Sequence, residues 1–248
     1  MRDKVPVRLK KEPLIEALWE IRFTSSKQSV AELLPGLIFN SLPDKYPNTV
    51  RLPTANMPPE LVEADPNLRY LPKIRLEGGN HAVQIGEHVI STHVRRPYSG
   101  WRNFSAEIHA LIDAVRKTDL IDRLERFSLK YVDLIDLGQP HDLSCLNARV
   151  ELGGQQIRSP VHLRAEVQKE GMLHIVQIAS SATAVLPEEK APITGVLLDT
   201  DTICNLTEGE SWKEVESRLD AAHTKAKALF FSLLTNDTIT KLGAEYEE

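Results

Sequence analysis

Val83-Gln84-Ile85 and Val176-Gln177-Ile178 are the stretches that decide the fold, because each is succeeded by a similar pattern of residues. After the first, Trp101 opens an amphipathic run with Phe104, Ile108, Leu111 and Val115 on one face. After the second, Trp212 opens another through Val215, Leu219, Ala222, Leu229, Phe230 and Leu233. Around Val83-Gln84-Ile85, residues 73–77, 81–86 and 88–94 read as three strands, with Gly78-Gly79-Asn80 and Gly86-Glu87 as hairpin turns. Around Val176-Gln177-Ile178, strands are expected at 161–168, 172–179 and 194–203, with Glu170-Gly171 as the first turn.

Each set of three strands is preceded by another strand and a helix. Leu14 to Phe23 alternates, with Trp19, Ile21 and Phe23 on one face and Glu20 and Arg22 on the other. A helix then starts near Ser29 and carries Val30, Leu33, Leu34, Leu37, Ile38 and Leu42, with Pro35-Gly36 as a site of kinking or splitting. In the second half the strand spans 126–135 and a short helix falls near 141–147. Ser211 with Glu214 three residues on is a capping box for the last helix. Both halves therefore read strand, helix, three strands, helix. The expected fold is α+β: two tandem, weakly related units, 1–124 and 125–248, each an antiparallel sheet with helices on one face.

Residues 43–72 hold Pro43, Pro47, Pro53, Pro58, Pro59, Pro66 and Pro72. That density predicts a long extended connection without an ordinary helix or central strand, and loops of this length tend to be functional or mobile. Residues 1–12, basic through Arg2, Lys4, Arg8, Lys10 and Lys11, are expected to form a loosely held arm, and Glu245-Tyr246-Glu247-Glu248 a frayed end.

The 248 residues carry a hydrophobic fraction of 42% and a charged fraction of 26%, ordinary for a globular chain. No apolar run is long enough to span a bilayer, and the first residues lack the apolar core of a signal peptide, so a cytoplasmic protein without membrane partners is expected. Cys145 and Cys204 lack metal-site spacing and read as small buried hydrophobes. Residues 1–124 hold 18 Lys and Arg against 15 Asp and Glu; residues 125–248 hold 12 against 20. A net charge of −5 disfavours nucleic acid as a partner, since that affinity comes largely from neutralising phosphates.

The segments Pro13-Leu14-Ile15-Glu16-Ala17-Leu18-Trp19-Glu20-Ile21-Arg22-Phe23, Val83-Gln84-Ile85-Gly86, His93-Val94-Arg95-Arg96-Pro97-Tyr98-Ser99-Gly100-Trp101, Leu129-Lys130-Tyr131-Val132-Asp133 and Leu198-Asp199-Thr200-Asp201 go together, with Ala222-His223 in the last helix. Together they resemble a sporadically distributed prokaryotic protein family of roughly this length, over nearly the whole chain. The resemblance brings no activity, cofactor or catalytic residues with it. The patchy occurrence of such a family implies an accessory or defence-related role. Where that family usually has arginine before the tyrosine, this chain has Lys130, which lacks bidentate geometry.

Two groups of residues could carry chemistry. His93, Arg95, Arg96, Tyr98, Trp101 and Arg102 form the densest basic and aromatic cluster, suited to holding a phosphate at a helix N-terminus or stacking a base. Asp199 and Asp201 share one face of a strand by period 2, and with Asp133 could bind a divalent metal. The alternative for these carboxylates is pairing with strand cations such as Arg22, Arg75 and Arg164. The histidines show no zinc spacing, and Gly-x-Ser-x-Gly, Gly-x-Gly-x-x-Gly and P-loop motifs are absent. The leading expectation is a non-catalytic binding or regulatory protein without a cofactor. It would engage a protein partner or a small ligand at the groove between units or on an open sheet face. A metal-dependent phosphoester enzyme and a nucleotide or nucleic-acid binder are the rivals. The long C-terminal helix is also expected to leave apolar surface for a homodimer.

Overall fold

The computed structural model describes residues 5–27, 29–66, 68–186 and 191–247. Arg2 and Lys4 of the basic arm, and Glu248, lie outside them. In chain order the elements are β1 (Arg8–Leu9), β2 (Leu14–Thr24), α1 (Val30–Ser41), β3 (Asn48–Arg51), α2 (Pro59–Ala64), β4 (Ile74–Gly78), β5 (His81–Ile85) and β6 (Val89–Arg95). Next come α3 (Trp101–Arg116), β7 (Arg123–Ile135), β8 (Val150–Leu152), β9 (Gln155–Ile157), β10 (His162–Lys169), β11 (Met172–Ala184) and β12 (Ile193–Asn205). The chain closes with α4 (Trp212–Leu233), α5 (Asn236–Lys241) and β13 (Ala244–Glu245). The protein is α+β, with most strands in a large antiparallel sheet. No helix among the described residues is long and apolar enough to cross a membrane.

Contacts divide the chain into two compact units, and not at 124/125. A terminal unit comprises residues 1–15, 130–202 and 221–248; a central unit comprises 16–129 and 203–220. The boundaries fall inside β2, β7, β12 and α4, because long strands and a long helix do not end where a compact group of contacts ends. A reading along the chain could only cut it between elements.

In the central unit β2, β6, β5, β4 and β3 neighbour one another in that order. Alternation in β2 sends Ala17, Trp19, Ile21 and Phe23 into the core, each at most 1% exposed, and leaves Glu16, Glu20 and Arg22 on the other face. Helices α1 and α3 pack on each other and against β4, β5 and β6, burying Leu34, Ile38, Phe104, Ile108 and Leu111. Each such side chain contributes about 1.5–3 kcal/mol. Helix α1 runs through Pro35 without splitting. The missing Pro35 N–H costs about 3 kcal/mol, offset by the burial of Val30, Ala31, Leu34 and Ile38 around it.

In the terminal unit the order is β10, β11, β12, β7. Ile135, Val176, Ile178, Val196 and Leu198 from the sheet meet Phe231, Leu234, Ile239 and Leu242 from α4, α5 and their flanks. The helix expected near 141–147 is only a 3₁₀ turn over Leu143–Cys145, capped by the Asp142 carboxylate on the Ser144 N–H at 2.8 Å. Cys204 is buried and Cys145 half-buried, and burial pushes the Cys145 thiol up to about 11.

Residues 7–9 and 244–245 are held where a loose arm and a frayed end were expected. Strand β1 pairs antiparallel with β13, the Val7 N–H donates to the Glu245 carbonyl at 2.7 Å, and the Arg8 guanidinium meets the Glu245 carboxylate. Basic composition did not prevent ordering because the complementary acid lies at the other end of the sequence.

Candidate ligand-binding site

The proline-rich connection is not an extended loop. It forms edge strand β3, a 3₁₀ turn at Pro53–Asn56, the short helix α2 and a second 3₁₀ turn at Leu68–Tyr70. Pro53 and Pro59 sit at first helical positions, where a missing N–H costs nothing. The segment is tied to the sheet at its return. The Lys73 N–H donates to the Ile85 carbonyl and the Leu52 N–H to the Lys73 carbonyl, both at 2.8 Å. Gly86 permits the approach: a Cβ there would lie 2.5 Å from the Leu71 carbonyl oxygen.

Tyr70 anchors the same segment. Its hydroxyl donates to Glu125 at 2.7 Å, and the Arg22 guanidinium lies 4.2 Å from its ring centre. Burial, then the Glu125 carboxylate, raises the Tyr70 phenol. Arg22 and Arg126 in turn share Glu20, at 2.7 and 3.3 Å.

Between this segment and the β5–β6 turn lies a cavity of about 500 Å³, within the range of small-molecule pockets. Met57, Val62, Pro66, Leu68 and Leu71 give it an apolar wall; Thr54, Arg69, Lys73, Glu87 and His88 supply the polar groups. Lys73 pairs with Glu87 at 2.9 Å, and the second Glu87 oxygen accepts the Ala31 N–H at the start of α1 at 3.3 Å. Burial, aided by Arg69, holds His88 below its ordinary value, so its imidazole is neutral at neutral pH. Among the described residues the buried His88 Nδ1 has no hydrogen-bond partner, although the Phe23 backbone hydrogen-bonds the imidazole. The lining thus offers two cations against one carboxylate, and an unused imidazole nitrogen.

Several residues singled out from the sequence are engaged with partners inside the protein. His93 is buried in β6, its Nδ1 3.1 Å from Glu16 and its Nε2 2.9 Å from the Ser91 hydroxyl. Carboxylate, imidazole and hydroxyl stand in the order of a nucleophilic triad, but Ser91 is 5% exposed, buried within the sheet. Arg95 and Arg102 are exposed, Arg95 at 4.0 Å from Glu16; Arg96 is half-buried and joined to Pro97 by a cis peptide. Tyr98 and Trp101 both pack edge-on against Phe104, and the Trp101 indole N–H donates to Asp220 at 2.8 Å. Trp101 is therefore committed to packing rather than held out as a stacking platform.

Asp199 accepts Lys130 at 2.7 Å and the Gln177 amide at 3.2 Å. Asp201 comes two positions later along the same strand. Asp133 is buried, and burial, then the Glu12 and Asp199 charges, raises its carboxyl well above the usual range. Among the described residues no three His, Cys, Asp or Glu side chains gather as a metal site. The strand arginines pair locally instead: Arg22 with Glu20, Arg75 with Glu77 and Arg164 with Glu166, each two positions away on its own strand.

Sequence reasoning marked residues 43–72 as functional or mobile by length but missed Leu68, Arg69, Leu71, Lys73, Glu87 and His88 as a group. The turn at Gly86-Glu87 was legible; that the Leu71 backbone packs on it was not. Comparison of the chain with protein-family models and with curated proteins finds no match.

Proposed function

We propose that the protein is a binding module whose central unit takes a small amphipathic anion in the cavity under the proline-rich segment. The ligand's apolar body would lie against Met57, Leu68 and Leu71, with its acidic group toward Arg69 and Lys73. The observation that carries the reading is the polar lining: two cations, one carboxylate and the unpartnered His88 Nδ1 beside an apolar wall. A buried nitrogen without a partner costs about 1–3 kcal/mol, which a donor on the ligand would recover. Nothing in this set is arranged as nucleophile, base and oxyanion donors, so binding rather than turnover is the reading it supports.

Titration with 8-anilinonaphthalene-1-sulfonate, an aromatic body bearing one sulfonate, tests it. One saturable site is expected, weakened about tenfold by Arg69→Ala and abolished by Met57→Trp, which fills the cavity. Binding that ignores both substitutions would reject this site.

A further inference from the structure

Among the described residues, strand β10 ends the strand order of the terminal unit's sheet, with β11 as its one neighbour. Its pairing with β11 runs unbroken from His162↔Ala179 to Lys169↔Met172, without a bulge or an internal proline. All of its residues are exposed except Ala165, which is half-buried. Native sheets guard such edges with bulges, prolines, very short strands or charged side chains; β10 has only the last, in Arg164, Glu166 and Lys169, and the first two of these can pair with a second copy. Leu163, Ala165 and Val167 lie opposite Ile178, Val176 and His174, so they extend the core-facing side of the sheet. Leu163 remains 36% exposed and Val167 39%.

The geometry points to a second copy of this chain as the occupant: we propose that two β10 edges pair antiparallel about a two-fold axis centred on Ala165. Directly opposed residues in an antiparallel ladder alternate between hydrogen-bonded and non-bonded pairs. A two-fold axis exchanges pair i↔j with pair j↔i, which must be of the same kind, so the axis has to pass through a residue paired with its own copy. Centred on Arg164 or on Glu166, that register sets two like charges face to face. Centred on Ala165, it sets Arg164 against the partner's Glu166 and Leu163 against the partner's Val167, each twice by symmetry. The sequence Leu163-Arg164-Ala165-Glu166-Val167 is thus self-complementary in charge on one face and in apolar contact on the other. Arg164 and Glu166 already meet at 2.7 Å within one copy, so pairing closes an alternating rectangle of four charges.

Sedimentation equilibrium of the full chain over a wide concentration range tests the proposal, with circular dichroism to verify folding. The native chain is expected to show a monomer–dimer equilibrium. Arg164→Glu or Glu166→Arg alone replaces both attractive contacts with repulsive ones and raises the dissociation constant about tenfold or more. The double variant Arg164→Glu, Glu166→Arg restores complementarity and returns the dimer. A native monomer at every concentration would overturn the proposal. So would a dimer untouched by the single reversals, or a double variant no better than the singles.

Discussion

Lys73 and Glu87 meet at 2.9 Å in the lining of the cavity, so a carboxylate of the protein occupies a cation that a ligand would otherwise engage. Glu87→Gln keeps an oxygen for the Ala31 N–H while removing the competing charge. The variant is expected to bind the anilinonaphthalene sulfonate about three- to tenfold more tightly, with the gain shrinking as salt is raised. Fluorescence titration at two ionic strengths reads both effects.

Gly86 fixes the cavity's frame. A Cβ at that position would stand 2.5 Å from the Leu71 carbonyl oxygen and 2.9 Å from Val89 Cγ1, and backbone cannot give way as a flexible side chain does. Gly86→Ala is expected to cost about 1–3 kcal/mol by overpacking and to weaken probe binding by moving Leu71. Urea unfolding and titration of the same sample measure the two together.

Glu107 of α3 is the buried polar centre of the central unit. The Tyr46 hydroxyl donates to it at 2.9 Å and Thr92 at 3.1 Å, His81 Nδ1 stands 2.7 Å from its other oxygen, and Lys45 stands at 3.6 Å. Burial, then the Glu107 charge, raises the Tyr46 phenol, so it stays a donor at any working pH. Glu107→Ala strands these partners and is expected to cost about 3–5 kcal/mol; Tyr46→Phe removes one bond and costs about 1–2 kcal/mol. Chemical denaturation checks that order.

The elements were legible where periodicity spoke and illegible where distant segments meet. Val83 and Ile85, like Val176 and Ile178, are buried, and Trp101 and Trp212 are the first residues of α3 and α4, as the paired stretches implied. Gly153-Gly154 reads as a turn, but its flanking strands β8 and β9 and the β1–β13 pair were not read: three- and two-residue strands carry no periodicity. The surroundings of the candidate residues were hidden for a related reason. Basic and aromatic density near residue 100 marked a cluster in sequence, whereas Trp101 turns to Asp220 and His93 to Glu16, partners far along the chain.

Acid and base should act on stability in opposite ways. Burial, aided by Arg69 at His88 and by Lys169 and Lys225 at His174, holds both imidazoles below 6.5. The unfolded chain then binds protons first, so their contribution is full above pH 6.5 and is lost as pH falls through the lowered values. Asp133 has the reverse sign: its raised carboxyl favours the folded state at low pH, and that contribution is lost as pH rises through the raised value. Asp133→Asn is expected to melt higher than the native chain at pH 8, with the gap closing toward acid. Thermal melts across pH measure this, and an unchanged gap would exclude the assignment.

The most direct test of the central claim is amide chemical-shift mapping of the isotopically labelled protein during titration with the anilinonaphthalene sulfonate. Saturable shifts confined to Thr54–Lys73 and Glu87–His88 are expected, with those residues staying at their free positions in Met57→Trp and saturating only at about tenfold more probe in Arg69→Ala. Shifts centred elsewhere, or none under saturating probe, would contradict binding at this cavity.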